Sequence, residues 1–441
     1  MKHKLKQSAG FFAIIFLLSM QIAQAQETRR ITLNEAIDLG VLNSHLLKNN
    51  QGKIDEAIAA TKEANDRKLP DVNVSASYLY LPIKPTIHLK SDSGSNGGSN
   101  TNVSQAMYGM ANVSYPIYAG GKLKYAIESA KFLEEAAKLD AADNKEAVIL
   151  NTINAFSNLY KSAAVVNLVK ENLEQSNQRV KDFANLEKNG LLARNDLLKV
   201  ELQSSNIELT LLDAENNLKI AGVNMALMLG LPEQTILIPD SASLQVINNV
   251  KTLEEYEQLA LMERNDLNAL VLRKKVAGLG IKNVKADYYP SVALTAGYIA
   301  ADLPGFLTIT NAVNVGVGVK YSLSSLWKTK SRVTQAEAMV RQLDASQLML
   351  NDQVRLQINQ DYQNYLLSQK KIQVYQKAVE QAAENYRITK NKYDNALATT
   401  TDLLDADVAQ LQSRLNLTNA GADAVVAYNK LLQTAGILNN N

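Results

Sequence analysis

Asn311-Ala-Val-Asn-Val-Gly-Val-Gly-Val-Lys-Tyr-Ser-Leu323 alternates with a period of two. One side reads Val313, Val315, Val317, Val319, Tyr321 and Leu323, and the other reads Asn314, Gly316, Gly318, Lys320 and Ser322. Such alternation marks a β-strand with one apolar face. Working outward, about 291–301 places Val292, Leu294, Ala296 and Tyr298 on one side. About 106–118 sets Gly109, Ala111, Val113, Tyr115 and Ile117 against Met110, Asn112 and Ser114, and a further strand falls at about 71–82. Strands of roughly ten residues, apolar on one face, small and polar on the other, with tyrosines near their ends, fit the wall of a transmembrane β-barrel. A water-soluble sandwich with a valine-rich inner face stays open at this point. Four strands are too few to close a membrane barrel, whose smallest examples have about eight, so the membrane reading requires several copies. Three copies would supply about twelve strands, an even number consistent with closure.

Each strand pair leads into a long helical tract. Gly121 to Lys188 contains no proline and no internal glycine, and Ile149, Ile153, Phe156, Tyr160, Ala163, Val166, Val169, Leu173, Val180 and Phe183 recur at helical steps. At 1.5 Å per residue this tract is a rod of roughly 100 Å, against an average helix of ~11 residues. The tract at about 328–394 carries its own stripe, including Ile358, Tyr362, Tyr365, Ile372, Tyr375, Ala378, Ala382, Tyr386 and Tyr393. Returning helices at about 191–229 and 401–438 give each rod an antiparallel partner, as in a coiled-coil bundle. From the helices alone, a plain structural coiled coil stays open as an alternative.

The chain is a duplicated unit. Sliding Thr32–Tyr78 by 220 residues onto Thr252–Tyr298 without a gap gives eleven identities, Thr32, Leu33, Glu35, Leu39, Leu47, Ala57, Lys62, Pro70, Val72, Ala76 and Tyr78. Chance would give about three. Tyr115, Leu150 and Asp196 match Tyr321, Leu356 and Asp402 at an offset of 206, and the missing 14 residues fall in the Gly/Ser/Asn-rich loop Ser91–Asn102. The expected organisation is therefore a leader at 1–25, a first repeat at 26–231, a linker at 232–250 and a second repeat at 251–438. Each repeat reads helix, strand, loop, strand, long helix, turn, helix, with the opening helices at about 33–68 and 252–287.

Composition narrows the function. Lys2, Lys4 and Lys6, the apolar run Phe11–Leu18 and the small-residue site Ala23-Gln24-Ala25 read as an export signal cleaved after Ala25. Removing three lysines and no acid takes the formal +2 to −1, which offers no case for nucleic-acid binding. There is no cysteine, hence no disulfide framework, thiol nucleophile or lipid-acceptor cysteine. Beyond the leader no 18-residue apolar segment reads as a membrane helix. Phosphate loops, HExxH and Gly-x-Ser-x-Gly are absent, and His45 and His88 have no second ligand at metal spacing. The expectation is a non-enzyme with no cofactor and no metal. Asn73-Val-Ser75 and Asn416-Leu-Thr418 fit a glycosylation sequon, a pattern short enough to arise by chance.

Three segments carry a family resemblance. Tyr115-Pro-Ile-Tyr-Ala-Gly-Gly-Lys122 resembles the strand-to-helix junction of the outer membrane efflux proteins, the TolC family. Met225-Ala-Leu-Met-Leu-Gly-Leu-Pro232 is similar to that family's first-repeat ending, and Thr32-Leu33-Asn34-Glu35-Ala36 with Leu39 to its opening helix. The resemblance covers about 31–438. It implies a mainly α protein with membrane β: a homotrimer whose strands share one twelve-stranded transmembrane barrel, continued by a helical barrel of coiled-coil rods. It also implies residence in the outer membrane of a Gram-negative-type cell, in contact with outer membrane lipid and with a large periplasmic portion.

The resemblance assigns residues as well. Gly190, Leu191 and Leu192 in the first turn, and Ala396 and Leu397 in the second, look like the tips where a periplasmic adaptor (a membrane fusion protein) docks. Asp402 and Asp405, three apart on one helix face, match the paired aspartates of the periplasmic entrance; Tyr393 matches a constriction tyrosine and Asp196 a partner in the closed tip. Without that resemblance, a glycine turn is how two helices reverse, and acids at a helix N-terminus complement its dipole. One departure is Ala398, where members of the family can carry an arginine that locks the tip; Arg194 is nearby but on another turn. The implied function is a passive exit duct serving an inner-membrane pump and its adaptor. The exit duct of a type I protein-secretion system, or a secreted coiled-coil scaffold or adhesin without a pore, are the alternatives.

Overall fold

The computed structural model describes residues 28–83, 86–87, 101–240, 250–304 and 307–438. The expected leader at 1–25, His88, all but the last two residues of the Ser91–Asn102 loop, and 241–249 of the linker lie outside the described residues. In chain order the elements are β1 Thr28–Ile31, α1 Leu33–Asn43, α2 His45–Asp66, β2 Asp71–Tyr80, β3 Thr86–Ile87, β4 Thr101–Asn102, β5 Gln105–Ala119, α3 Lys122–Lys188, α4 Arg194–Leu229 and β6 Ile236–Pro239. They continue with α5 Leu253–Glu263, α6 Asn265–Lys285, a 3-10 turn Ala286–Tyr288, β7 Ser291–Leu303, β8 Leu307–Lys320, α7 Ser325–Asp394 and α8 Thr400–Thr434. No helix among the described residues is long and apolar enough to cross a membrane.

The two expected repeats open on the same backbone chemistry. Thr32 caps α1 and Thr252 caps α5, each hydroxyl accepting from the amide three residues on, Glu35 and Glu255. The sequence suggests one opening helix per repeat, but each is broken, at Ser44 and at Arg264, the same position after the 220-residue shift. Neither break contains proline or glycine. Ser44 restarts the chain as a cap, its Oγ accepting from the Leu47 amide at 3.3 Å. Arg264 is held by bonds from its guanidinium to Gln357 at 3.4 Å and to the Thr434 carbonyl at 3.2 Å.

The chain forms two compact units, each taking parts from both repeats. One comprises the described residues of Met1–Asn49, Ala141–Asn265 and Asn351–Asn441. Here β1 pairs in parallel with β6, Thr28 opposite Ile236, a contact not foreseen from the sequence. Around that pair Ile31, Ala36, Phe156, Leu159, Met225, Leu229 and Leu237 form a closed apolar core. Leu229-Gly230-Leu231 closes α4: Gly230 sits at φ +69, and a Cβ there would lie 2.9 Å from Asn43, whose amide donates to the Leu229 carbonyl at 2.7 Å. Tyrosines fill the equivalent place in the second repeat, where the Tyr256 and Tyr362 rings lie 6.4 Å apart and those of Tyr365 and Tyr428 5.8 Å apart. Burial pushes the Tyr256 hydroxyl up to about 12.

The other unit comprises Asn50–Asp140 and Asp266–Leu350, described residues only. Its centre is a four-stranded antiparallel sheet in the order β2-β5-β7-β8. β7 and β8 extend to Leu303 and back from Leu307, longer at the loop end than the expected 291–301 and 311–323. β8 stops at Lys320, so Tyr321 and Leu323 lie beyond the strand. Asn311, at φ 59, takes up the register shift between Ile299 and Ala301.

Candidate functional site

The sheet register brings the expected apolar faces onto one surface. Val72 lies opposite Val113, Val113 opposite Ala296 and Ala296 opposite Val315. The rows on either side continue the pattern, with Val74 opposite Ala111, Ala111 opposite Tyr298 and Tyr298 opposite Val313. No described residue covers this face: Val74 is 79% exposed and Val315 74%. The opposite face carries Asn73, Ser75, Asn112, Ser114, Thr295, Gly297, Asn314 and Gly316. Tyr78 and Tyr80 stand toward one end of the apolar face, and Tyr115 toward the other. Among the described residues β2 and β8 each pair on one side only, leaving two open edges. An apolar face this continuous is stable only when lipid or protein covers it, and open edges are templates for further strands.

The Tyr115–Lys122 segment turns the sheet into the long helix. Pro116 sits in the interior strand β5, but β2 has ended opposite Ser114, and the register shifts between Pro116 and Tyr118. Gly120 and Gly121 then take φ +64 and +86, and a Cβ on Gly120 would stand 2.6 Å from the Ala286 carbonyl oxygen. Lys122 and Arg332 both pair with Asp287. Burial pushes the Asp287 carboxyl up, but the two cations outweigh it and hold it below the usual carboxylate range.

The two tip turns are copies of one backbone motif. Gly190 at φ +71 and Ala396 at φ +57 end α3 and α7 in the left-handed region, 206 residues apart. The Leu191 amide donates to the Leu186 carbonyl at 2.9 Å and the Leu397 amide to the Lys392 carbonyl at 2.8 Å, closing a Schellman cap each time. Leu191 and Leu397 are then displayed at 75% and 77% exposure. Leu192 does not join them; it packs against the tip core of Phe183, Leu197, Val200 and Leu403. An alanine in the left-handed region costs about 1 kcal/mol. Ala396→Gly is accordingly expected to slow hydrogen exchange at the Leu397 amide about five-fold; an unchanged rate would show that Ala396 carries no strain.

The expected gate residues have different surroundings. Tyr393 packs inward, stacked on Phe183 with ring centroids 5.4 Å apart. Burial raises its hydroxyl pKa, a bond with Thr400 opposes the rise, and the charges of Asp196 and Asp394 add to it. Asp402 is committed to a capping box: its Oδ2 accepts from the Thr399 amide at 2.8 Å and from the Thr399 hydroxyl at 2.7 Å. Those bonds, the backbone one first, hold its carboxyl below the usual range. Asp405 is exposed on the same helix face. Asp196 accepts from Lys199 at 3.3 Å, whereas Arg194 reaches Glu187 at 4.0 Å.

A buried ion pair near the tip was not foreseen. Arg179 on α3 donates to Asp407 on α8 at 3.0 Å, with side-chain exposures of 9% and 2%. Asn172 donates to the same oxygen at 3.4 Å, and Arg179 also reaches the Tyr386 hydroxyl on α7 at 3.2 Å. Burial lowers the Arg179 pKa, but the bond and charge of Asp407 outweigh it and the net shift is upward. The readable signal is positional: Arg179 lies one turn from Phe183, and Asp407 one turn from Leu403, and both of those are residues of the apolar cluster beside the turns. No His, Asp or Glu cluster suited to a metal occurs among the described residues.

A model of the outer membrane efflux protein family matches residues 36–231 and 257–437. The outer membrane protein TolC of Vibrio cholerae is 23% identical over 405 residues, covering 87% of this chain and 86% of that protein. Among solved structures, the outer membrane protein VceC of Vibrio cholerae has a TM-score of 0.75 at 20% identity, covering 92% of this chain and 96% of that one. The CmeC outer membrane channel of Campylobacter jejuni has a TM-score of 0.75 at 16% identity, covering 92% and 86%. With the family matched across both repeats and the fold shared with these channels, the chain belongs to the outer membrane efflux protein family and is an outer membrane protein.

Proposed function

We propose that three copies of this chain close their four-stranded sheets into one twelve-stranded barrel, and that the assembly is the outer-membrane exit duct of a tripartite efflux system. The observation that carries this reading is the apolar sheet face with two open edges. A lone sheet would leave both edges of backbone donors and acceptors unpaired in lipid, which hydrocarbon does not tolerate, so closure by further copies satisfies them. Twelve strands enclose a water-filled passage, and the polar face of Ser, Asn, Thr and Gly would line it. Native mass spectrometry of detergent-extracted protein tests the stoichiometry. Three copies are expected, and a stable monomer would overturn the proposal.

At the tips, Leu191 and Leu397 are the proposed contacts for a periplasmic adaptor, since both repeats display a leucine from the same backbone motif. Gly190 and Ala396 shape those turns, and Leu192 supports the first from within. Replacing Leu191 and Leu397 together by aspartate should abolish co-purification with an adaptor while trimers persist; a surviving complex would move the contact elsewhere.

The proposed entrance ring rests on Asp405 more than on Asp402, whose oxygen already serves Thr399. Asp405→Ala should relieve most of the block that multivalent cations impose from the periplasmic side, and Asp402→Ala should chiefly fray the start of α8. A block lost only with Asp402 would reverse the assignment. The Asp402 cap also has a pH signature. Its folded pKa is lowered, so its contribution is complete above the unfolded carboxylate pKa and is lost as pH falls through the folded one. Tyr393 and Asp196 are proposed to brace the closed tip from inside.

A further inference from the structure

Each long helix carries a pair of lysines near its start, at positions equivalent between the two. Lys122 and Lys124 begin α3, and Lys328 and Lys330 stand 206 residues later in the first turns of α7. The positive end of a helix dipole disfavours cations there, and neither helix has an acid in its first turn. At the first junction Lys122 pairs with Asp287, and Lys124 lies 4.0 Å from Glu128. At the second, Lys328 and Lys330 form no ion pair among the described residues, and both are exposed. Two exposed lysines without an ion-pair partner among the described residues, the first of them in the unfavourable first turn, leave charge that an anion from outside the chain can meet.

The neighbours indicate which anion. Tyr321, Leu323, Leu326 and Trp327 are 40%, 65%, 54% and 65% exposed, and they continue from the Val313–Val319 ladder of β8. Lys330 follows Trp327 by three residues and Leu326 by four, so on a helix its stem lies beside both. Along the chain the order is therefore valine ladder, aromatic pair, then lysines. That sequence reproduces the gradient from acyl chain through interface to headgroup in one leaflet. A free phosphate would satisfy the lysines but leave Leu323, Leu326 and Trp327 uncovered.

We propose that Lys328 and Lys330, with Trp327 as interfacial anchor, bind the headgroup of an anionic phospholipid in the periplasm-facing leaflet, and that Lys122 and Lys124 mark the equivalent place in the first repeat. The proposal rests on the reading of the apolar sheet face as lipid-facing. Trp327 is the only tryptophan in the chain, so intrinsic fluorescence reports on this junction alone. The full chain is reconstituted in phosphatidylcholine vesicles containing a small fraction of brominated phosphatidylglycerol or of brominated phosphatidylcholine. Both lipids quench Trp327, and the anionic one associates at least about five-fold more strongly, the preference that one lysine confers near an anionic surface. K328Q/K330Q brings the ratio close to one while quenching by brominated phosphatidylcholine persists, and K328R/K330R retains the preference. Equal quenching by the two lipids in the unaltered protein overturns the headgroup site and leaves the lipid-facing sheet intact. No quenching by either overturns the reading of the sheet face itself.

Discussion

Asp407→Ala is expected to destabilise the tip-proximal helices by about 3–5 kcal/mol, the usual cost of breaking a buried pair from one side. The loss would not be that of an isolated hydrogen bond. Arg179, whose net shift favours its charged form, would remain among packed helices, donating to the Tyr386 hydroxyl at 3.2 Å. Because the pair joins α3 to α8 and touches α7, the effect should be regional, appearing in hydrogen exchange as lost amide protection around Asn172–Phe183 and Leu403–Ser413. Removing both charges with a pair of similar volume, R179M/D407L, should recover most of the protection, since apolar pairs replace buried ion pairs at little cost. If D407A exchanges like the parent protein, the pair contributes nothing to holding these helices together.

The second large effect is expected on the sheet. Val317 stands within the β8 ladder opposite Leu294, and it is 64% exposed. If lipid covers that face, V317R should cost about 2–4 kcal/mol in each copy, seen as loss of folded trimers from the outer membrane fraction. Ser75→Lys, on the polar face of β2, should leave trimer yield unchanged because a passage filled with water solvates the new charge. Equal tolerance of both substitutions would mean that water, not lipid, bathes the valine ladder.

What could be read from sequence follows the range of the interactions involved. The β8 alternation, the Gly120-Gly121 turn and the repeat offset are local patterns, and a two-residue period fixes which side chains share a face before any partner strand is known. The β1–β6 pairing escaped because two four-residue strands separated by most of the first repeat are too short to show a period. The break at Ser44 was hidden because neither proline nor glycine marks it; its signal is a serine that caps the next helix through Leu47. The loop end of the β7–β8 hairpin looks like loop in sequence because Asp302 and Pro304 are poor strand residues, yet Asp302 pairs with Thr308 and accepts from its hydroxyl at 2.7 Å. Ala396 holds a conformation that normally calls for glycine, which the bonds from the Ala396 and Leu397 amides to the Tyr393 and Lys392 carbonyls, and the helix cap at Thr399, hold against local preference. The Arg179–Asp407 pair depends on the register between two helices, and neither helix specifies that register by itself. Asp405 and Asp407, two residues apart, face opposite sides of α8, so residue type alone does not separate an exposed carboxylate from a buried one.

Whether the assembly is a duct is tested most directly by current across a planar bilayer containing purified, detergent-extracted protein. Discrete ion-conducting steps are expected, reduced by multivalent cations added on the side of the tips. Protein shown to have entered the bilayer without producing such steps would contradict an exit duct and favour a scaffold without a pore.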